Sequence, residues 1–241
     1  MRLLQSALLI LLLAGTSCST TLYKSNTVNT PLFHEAGEVR IGAGPGNVQA
    51  AYALTDRIGI MGNFYWERYN KDNKDNSGHL IEVGAGYFQP VHKNLIFETY
   101  GGVGLGKITF RQQNQAGTSI RNYDVNGMRL FLQPGIGYCT PYFEAAFTPR
   151  LSFVSYSNFS AFGYPPQELE TEHLDKEIIE NTLWMFIEPA ITLRGGYKWI
   201  KVQVQYGVTA KLTSAELNHG KDFLNVSLIA DIGTWFDNYQ P

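Results

Sequence analysis

Cysteine is scarce in this chain, which has two in 241 residues. Cys18 closes the N-terminal targeting segment, so only Cys139 remains in the body of the protein. A single cysteine excludes a disulfide framework, and the position of Cys139 at a predicted turn indicates no role of its own.

The chain also lacks a large excess of charge of one sign and lacks long apolar runs. The chain has 19 basic and 21 acidic residues, a net charge of -2, which gives no reason to expect a nucleic-acid partner. The apolar run at residues 7–14 is too short to cross a bilayer as a helix. No stretch has a helical period as long as the strand patterns described below.

The first residues have the pattern of an export signal. Arg2 supplies the positive charge ahead of the apolar run, which predicts a signal peptide over residues 1–17. Small residues at 14–17 followed by Cys18 are similar to a lipoprotein cleavage box, although Gly15 occupies a position where Leu is usual. We therefore predict lipidation of Cys18 and a linker over residues 18–36. The alternative is an ordinary secretory signal that is cut near the same place.

Ten segments after residue 36 alternate apolar and polar residues, which is the period of a strand. Short links and long polar links alternate between them, as in a transmembrane barrel with turns on one rim and loops on the other. The predicted strands cover residues 37–44, 47–54, 57–68, 79–89, 94–111, 126–138, 142–157, 183–194, 199–212 and 223–236.

A period of two does not say which face points inward. A lipocalin-like barrel would place the apolar face inside, and a membrane barrel would place it outside. The polar face carries many glycines, such as Gly102 and Gly137, which weaken a solvent-facing strand but make room in a crowded lumen. Aromatic residues also lie near the strand ends, as in the interface belts of membrane barrels. We predict an all-β fold, a ten-stranded antiparallel up-and-down transmembrane β-barrel over residues 37–236, with a tail at 237–241 and both chain ends on the turn side.

The inward face of this barrel is charged and mixed in sign. Buried charges are costly unless they are paired, so near-equal numbers predict an ion-pair network that fills a narrow lumen. A path for protons or small ions along the same carboxylates is the alternative. The predicted network contains Glu38, Arg40, Glu82, Glu98, Arg129, Glu144, Arg150, Glu188, Arg194 and Asp231.

Candidate catalytic residues are few. His173 with Asp175, and His219 with Asp222, lie in predicted loops, as the rim residues of outer-membrane proteases do. Neither pair has a positioned nucleophile in the sequence, so we expect no enzyme, and we expect no metal or other cofactor. The acidic stretch 167–180 predicts either a short helix over the mouth of the barrel or a solvated loop.

Several stretches resemble an uncharacterised family of small outer-membrane β-barrel proteins, often lipoproteins, of Gram-negative bacteria. The resemblance lies in residues 29–33, 37–39 and 48–61 and in the glycine-rich stretch 100–107. It implies fold and location but no activity and no site residues. Outer-membrane barrels often end on an aromatic residue, whereas Phe236 is followed by five further residues.

Together these patterns predict a structural or interaction component of the cell envelope. Its expected partners are outer-membrane lipid and an envelope protein complex. A narrow channel or small-solute binder is the first alternative, and a surface hydrolase is the second.

Overall fold

The computed structural model describes residues 21–71, 74–113 and 120–232. Among these residues, no helix has the length and apolar character needed to cross a membrane. The strands are β1 (Val39–Gly44), β2 (Asn47–Ala53), β3 (Ile58–Lys71), β4 (Lys74–His92), β5 (Leu95–Gln113), β6 (Ile120–Cys139), β7 (Phe143–Phe162), β8 (Trp184–Tyr197), β9 (Ile200–Val208), β10 (Ala210–Lys211) and β11 (Asp222–Asp231). Two short helices, α1 (Pro166–Thr171) and α2 (Lys176–Asn181), lie between β7 and β8.

The strands form one closed antiparallel sheet. Strands β1 to β8 each pair with the next strand in the sequence, and β11 pairs with both β9 and β1 to close the ring. The short β10 pairs with β8 in the same register as β9, so β9 and β10 occupy one place beside β8. The ring therefore has ten places, and the predicted ten-stranded up-and-down barrel is confirmed.

The barrel is polar inside and apolar outside. Outward-facing Leu105, Val83 and Ile191 are 66%, 57% and 54% exposed, whereas inward-facing Arg150 and Glu188 are 0% exposed. A soluble barrel would bury the apolar set and expose the charged set, because the free energy falls when apolar side chains leave water. This distribution confirms the transmembrane type of barrel and excludes the lipocalin-like alternative.

Exposed aromatic residues lie near the two ends of the barrel wall. Tyr52, Phe97, Tyr138, Tyr142, Phe143 and Tyr197 lie towards the rim with the connections 54–57, 93–94, 140–142 and 198–199, called here the turn rim. Phe64, Trp66, Tyr69 and Tyr206 lie towards the opposite rim, called here the loop rim. Two such belts suit the two membrane–water interfaces, where amphipathic rings are favoured.

Several strands are longer than the sequence predicts. Residues 74–78 and 120–125, expected in loops, belong to β4 and β6, and β7 continues to Phe162. Residues 74–78 are polar on both faces, and the apolar residues of 120–125 do not alternate regularly with the polar ones, so hydropathy alone marks both stretches as loops. The backbone hydrogen bonds between the paired strands continue there nonetheless. Strand pairing satisfies the backbone N–H and C=O groups of a hairpin whatever its side chains are.

Glycine at two positions on the inner face makes room for bulky neighbours. A Cβ at Gly137 would lie 2.5 Å from Cδ2 of Leu32, and a Cβ at Gly102 would lie 2.5 Å from Cζ of Phe131. Both distances are far below van der Waals contact. The prediction that these glycines accommodate large side chains in the lumen is confirmed.

The main correction concerns the predicted linker. Its described part, residues 21–36, does not tether the barrel from outside but passes through the lumen, and we call it the luminal segment. The described residues begin at the loop rim, where Leu22 lies, and not on the turn side where the linker was expected. The signal peptide, Cys18, Phe236 and the tail at 237–241 lie outside the described residues.

Candidate functional site: the occupied lumen

The luminal segment enters at the loop rim and leaves at the turn rim. At the loop rim, the Leu22 N–H donates to the Asn218 carbonyl at 2.9 Å, and the Gly220 N–H donates to the Tyr23 carbonyl at 2.8 Å. At the turn rim, the Ala36 N–H donates to Oδ1 of Asp56 at 3.0 Å. Between the two rims, residues 22–33 are buried, except that Lys24 is partly exposed.

Side chains of the barrel wall hold the backbone of this segment. Gln205 exchanges two hydrogen bonds with Val28, from the Val28 N–H to Oε1 at 2.7 Å and from Nε2 to the Val28 carbonyl at 2.9 Å. Gln49 donates to the Thr27 carbonyl at 3.0 Å, and Gln133 donates to the Asn29 carbonyl at 2.7 Å. The segment belongs to no strand along this stretch, so these amides take the place of a neighbouring strand.

Asn26 is the centre of the ion-pair cluster nearer the loop rim. Its Nδ2 donates to Glu82 at 2.6 Å, and its Oδ1 accepts from Arg129 at 2.7 Å and from Arg150 at 3.0 Å. Arg129 pairs with Glu82 at 2.9 Å, and Arg150 pairs with Glu188 at 2.6 Å. Two acids and two bases balance within this cluster, and the luminal segment joins them.

Glu144 is the centre of a second cluster nearer the turn rim. Its carboxylate lies 2.8 Å from Arg40, 2.8 Å from Arg194 and 2.5 Å from Lys201. Arg40 also lies 3.6 Å from Asp231. Arg194 donates to both the carbonyl and Oγ1 of Thr30, at 2.7 and 2.8 Å, so this cluster also holds the luminal segment.

The two remaining residues of the predicted network have other surroundings. Glu98 accepts from the Leu32 N–H at 2.8 Å, and among the described residues its Oε1 has no hydrogen-bond partner. Glu38 lies at the turn rim before β1 and accepts from the N–H groups of His34 and Glu35. Both carboxylates therefore stabilise the backbone near the end of the luminal segment instead of joining the two clusters.

Burial changes the proton affinity of the groups at the turn rim. It raises the pKa of Glu38 to about 7, against the opposing effects of Arg40 and the two N–H groups. It lowers the pKa of His34, in the same direction as the nearby charge of Arg40. Loss of hydration disfavours the charged form of each group, which explains the opposite directions for an acid and a base.

Apolar and aromatic side chains close the lumen near the loop rim. Tyr23 stacks on Phe186 with ring centroids 3.9 Å apart, and its hydroxyl donates to Glu188. Leu174 and Ile179 from the β7–β8 connection are buried in the same cluster. Of the two alternatives for residues 167–180, the helical one is closer to the structure, which has two short helices, α1 and α2, in place of one. Asp175 caps α2 by accepting from the Glu177 N–H at 2.8 Å.

The two candidate His–Asp pairs have other contacts. Asp175 caps α2, and His173 lies in the short connection between α1 and α2. His219 lies with Nδ1 3.1 Å from the Leu217 carbonyl, and Asp222 accepts from the Tyr206 hydroxyl at 3.3 Å. Within the part of the chain that the structure describes, no group of three His, Cys, Asp or Glu residues is arranged to hold a metal ion.

Sequence signals for the rest of this site are weaker. Asn26 and Thr30 lie in the stretch interpreted as a linker, and the inward glutamines carry no charge that would mark them as members of a network. One feature of the sequence does fit the observed path: residues 25–33 contain no charged residue. Such a stretch is unusual for a solvated linker and suits a segment buried in a lumen.

The fold has a neighbour among solved structures. No family model and no curated protein sequence matches this chain. Among solved structures, the chain is similar to the translocator domain of the autotransporter NalP from Neisseria meningitidis. The TM-score is 0.47 and the identity is 9%, over 80% of this chain and 85% of that chain. The predicted family of small outer-membrane proteins stays a prediction.

Proposed function

We propose that this protein is a closed outer-membrane barrel that serves as a structural or interaction component of the cell envelope. The observation that carries the proposal is the occupied lumen. Arg150, Glu188, Gln203 and Gln205 are all 0% exposed at the middle of the barrel, so water reaches none of them. A conducting pore requires a hydrated path, and the luminal segment fills the space where that path would run.

The outer face supports the proposed location. Apolar side chains cover it between two aromatic belts, and such a surface is stable in the hydrocarbon core of a bilayer. A closed barrel also leaves no unpaired strand edge in lipid, where an unpaired backbone group costs several kcal/mol. A signal peptide and an outer-membrane destination are consistent with this surface.

The surfaces that remain for partners lie at the loop rim. The loop ends of β6 and β7 expose Ile120 and Phe162, at 49% and 70%, close to the helices α1 and α2. Helix α1 has no fully buried residue: Leu169 packs against the buried cluster at the loop rim, while Pro166, Gln167, Glu170 and Thr171 are exposed. We propose that this rim contacts another envelope component and that the protein is not an enzyme.

Conductance in planar bilayers tests the proposal. We expect the full-length protein to give no steady openings, and a variant that lacks residues 22–33 to give discrete conductance steps. A control variant lacks residues 166–171 of α1, none of which is fully buried or lies in the lumen between the two ion-pair clusters, and we expect this variant to stay closed. Steady openings of the full-length protein would contradict the proposal, whatever the deletion variant does, and would support the narrow-channel alternative.

A further inference from the structure

The direction of the luminal segment determines at which rim Thr21 emerges. The Tyr23 backbone pairs with His219 in the β10–β11 connection, and Lys24 lies 2.7 Å from Glu67 near the loop end of β3. At the other end, Leu32 packs with Ile96 and Cys139 near the turn rim. The segment therefore crosses the barrel once, from loop rim to turn rim, before β1 begins.

Contacts along the whole segment fix this direction. Asn26 is held by Glu82, Arg129 and Arg150, and four residues later Thr30 is held by Arg194. The Val28 backbone is held between them by Gln205. A reversed or shifted segment would leave these buried charges and backbone groups without their partners, and each unpaired buried group costs free energy.

We infer that Thr21 emerges from the barrel at the loop rim, on the same side of the membrane as α1 and α2, and that any lipid attached to the chain just before Thr21 belongs to that side. Cys18 itself is outside the described residues. A group carried three residues before Thr21 reaches at most about 11 Å from it, which is far less than the thickness of a bilayer.

An acyl chain attached within three residues of Thr21 would enter the leaflet next to the loop rim. The long loops of outer-membrane barrels lie at the cell surface, so this is the cell-surface leaflet. A lipid in the leaflet next to the turn rim would require residues 21–36 to leave the lumen. The occupied lumen and a lipid anchor on the turn side therefore exclude each other.

An epitope inserted between Thr20 and Thr21 of the full-length protein tests the placement. Control proteins carry the same epitope after Glu172, at the loop rim, or after Lys93, at the turn rim. We expect antibody to bind the N-terminal and loop epitopes in intact cells to the same extent. The turn epitope should be bound only after the outer membrane is permeabilised. An N-terminal epitope that behaves like the turn epitope would overturn the inference.

Disulfide trapping gives a second readout that needs no insertion. In a Cys139→Ser background, the pair Tyr23→Cys and His219→Cys places two thiols at directly paired backbone positions. Oxidation in cells should join them, as seen by mass spectrometry of the digested protein. The control pair Tyr23→Cys and Asn94→Cys, with Asn94 at the turn rim, should not join. Joining of the control pair in place of the first pair contradicts the inference, and neither result depends on conductance.

Discussion

Gln205 and Val28 satisfy each other's hydrogen bonds in both directions, through a side-chain amide on one residue and the backbone on the other. The geometry is that of a strand pair in which one strand is replaced by a glutamine side chain. Both residues are buried, so water cannot replace either bond.

Replacement of Gln205 should therefore destabilise the barrel. In Gln205→Leu, two backbone groups of Val28 lose their partners, and each unpaired buried group costs ~1–3 kcal/mol. We expect a lower urea midpoint in detergent micelles, by an amount equivalent to about 2 kcal/mol or more. Val204→Leu is the control, because Val204 faces outward in the same strand. Equal midpoints for the two variants would show that the luminal segment is not held as described.

Loss of one charge in the cluster near the loop rim should be more severe. Arg150→Met leaves Glu188 without its partner at 2.6 Å, and breaking a buried pair costs ~3–5 kcal/mol. The double variant Arg150→Met/Glu188→Gln should recover part of this loss, because it removes the uncompensated charge.

An exposed pair provides the matched control for this cycle. Arg68 is 72% exposed and lies 3.8 Å from Asp75, so Arg68→Met should cost less than ~1 kcal/mol. Urea titration gives the unfolding free energies of these three variants and of Glu188→Gln alone, which completes the cycle. Additive losses in the double variant would contradict the pairing of Arg150 with Glu188.

Gly137 and Leu32 should show a steric coupling. In Gly137→Ala the new methyl group would lie 2.5 Å from Leu32, and overpacking of this kind costs ~1–3 kcal/mol. Leu32→Ala in the same protein should relieve the clash, so the double variant should lose less than the sum of the single losses. Gly101→Ala is the control, since a Cβ there meets its nearest atom at 3.6 Å. A Gly137→Ala variant as stable as Gly101→Ala would contradict the close approach.

Glu38 should make stability depend on pH. Its pKa in the folded protein is raised to about 7 by burial, above the ordinary value of 4.5. The folded state therefore favours the protonated acid, and this contribution is full below pH 4.5 and is lost as pH rises towards 7. The stability of the wild type relative to Glu38→Gln should fall over this window, as measured by urea midpoints at about pH 4 and about pH 8. A constant difference between the two proteins would contradict the raised pKa.

The sequence predicts the wall of this barrel better than its contents. Period-two alternation marks each strand that faces lipid, since Leu224, Val226 and Leu228 must be apolar while Ser227 between them need not be. That alternation ends where strands leave the membrane, so the loop-side halves of β4 and β6 give no such signal. Local pattern is informative only where one face meets lipid.

The contents of the lumen depend on contacts between residues far apart in the chain. Ser25 lies 2.5 Å from Thr209, 184 residues away, and no local pattern in residues 21–36 predicts such a partner. Charge balance predicts that the lumen is filled, and mixed acids and bases do pair there. It does not reveal that Asn26 and Thr30 join the two clusters, because uncharged polar residues are equally common in linkers.

The closing seam of the barrel has a consequence for assembly. Within the described residues β1 and β11 share four paired positions, whereas β5 and β6 share nineteen. The long hairpins bring together residues close in sequence, but the seam joins the two ends of the chain and forms a large loop at high entropic cost. The luminal segment contacts strands from β2 to β9, so its buried polar groups are shielded from water on all sides only when the seam is closed. We therefore expect closure of the seam and burial of residues 21–36 to depend on each other.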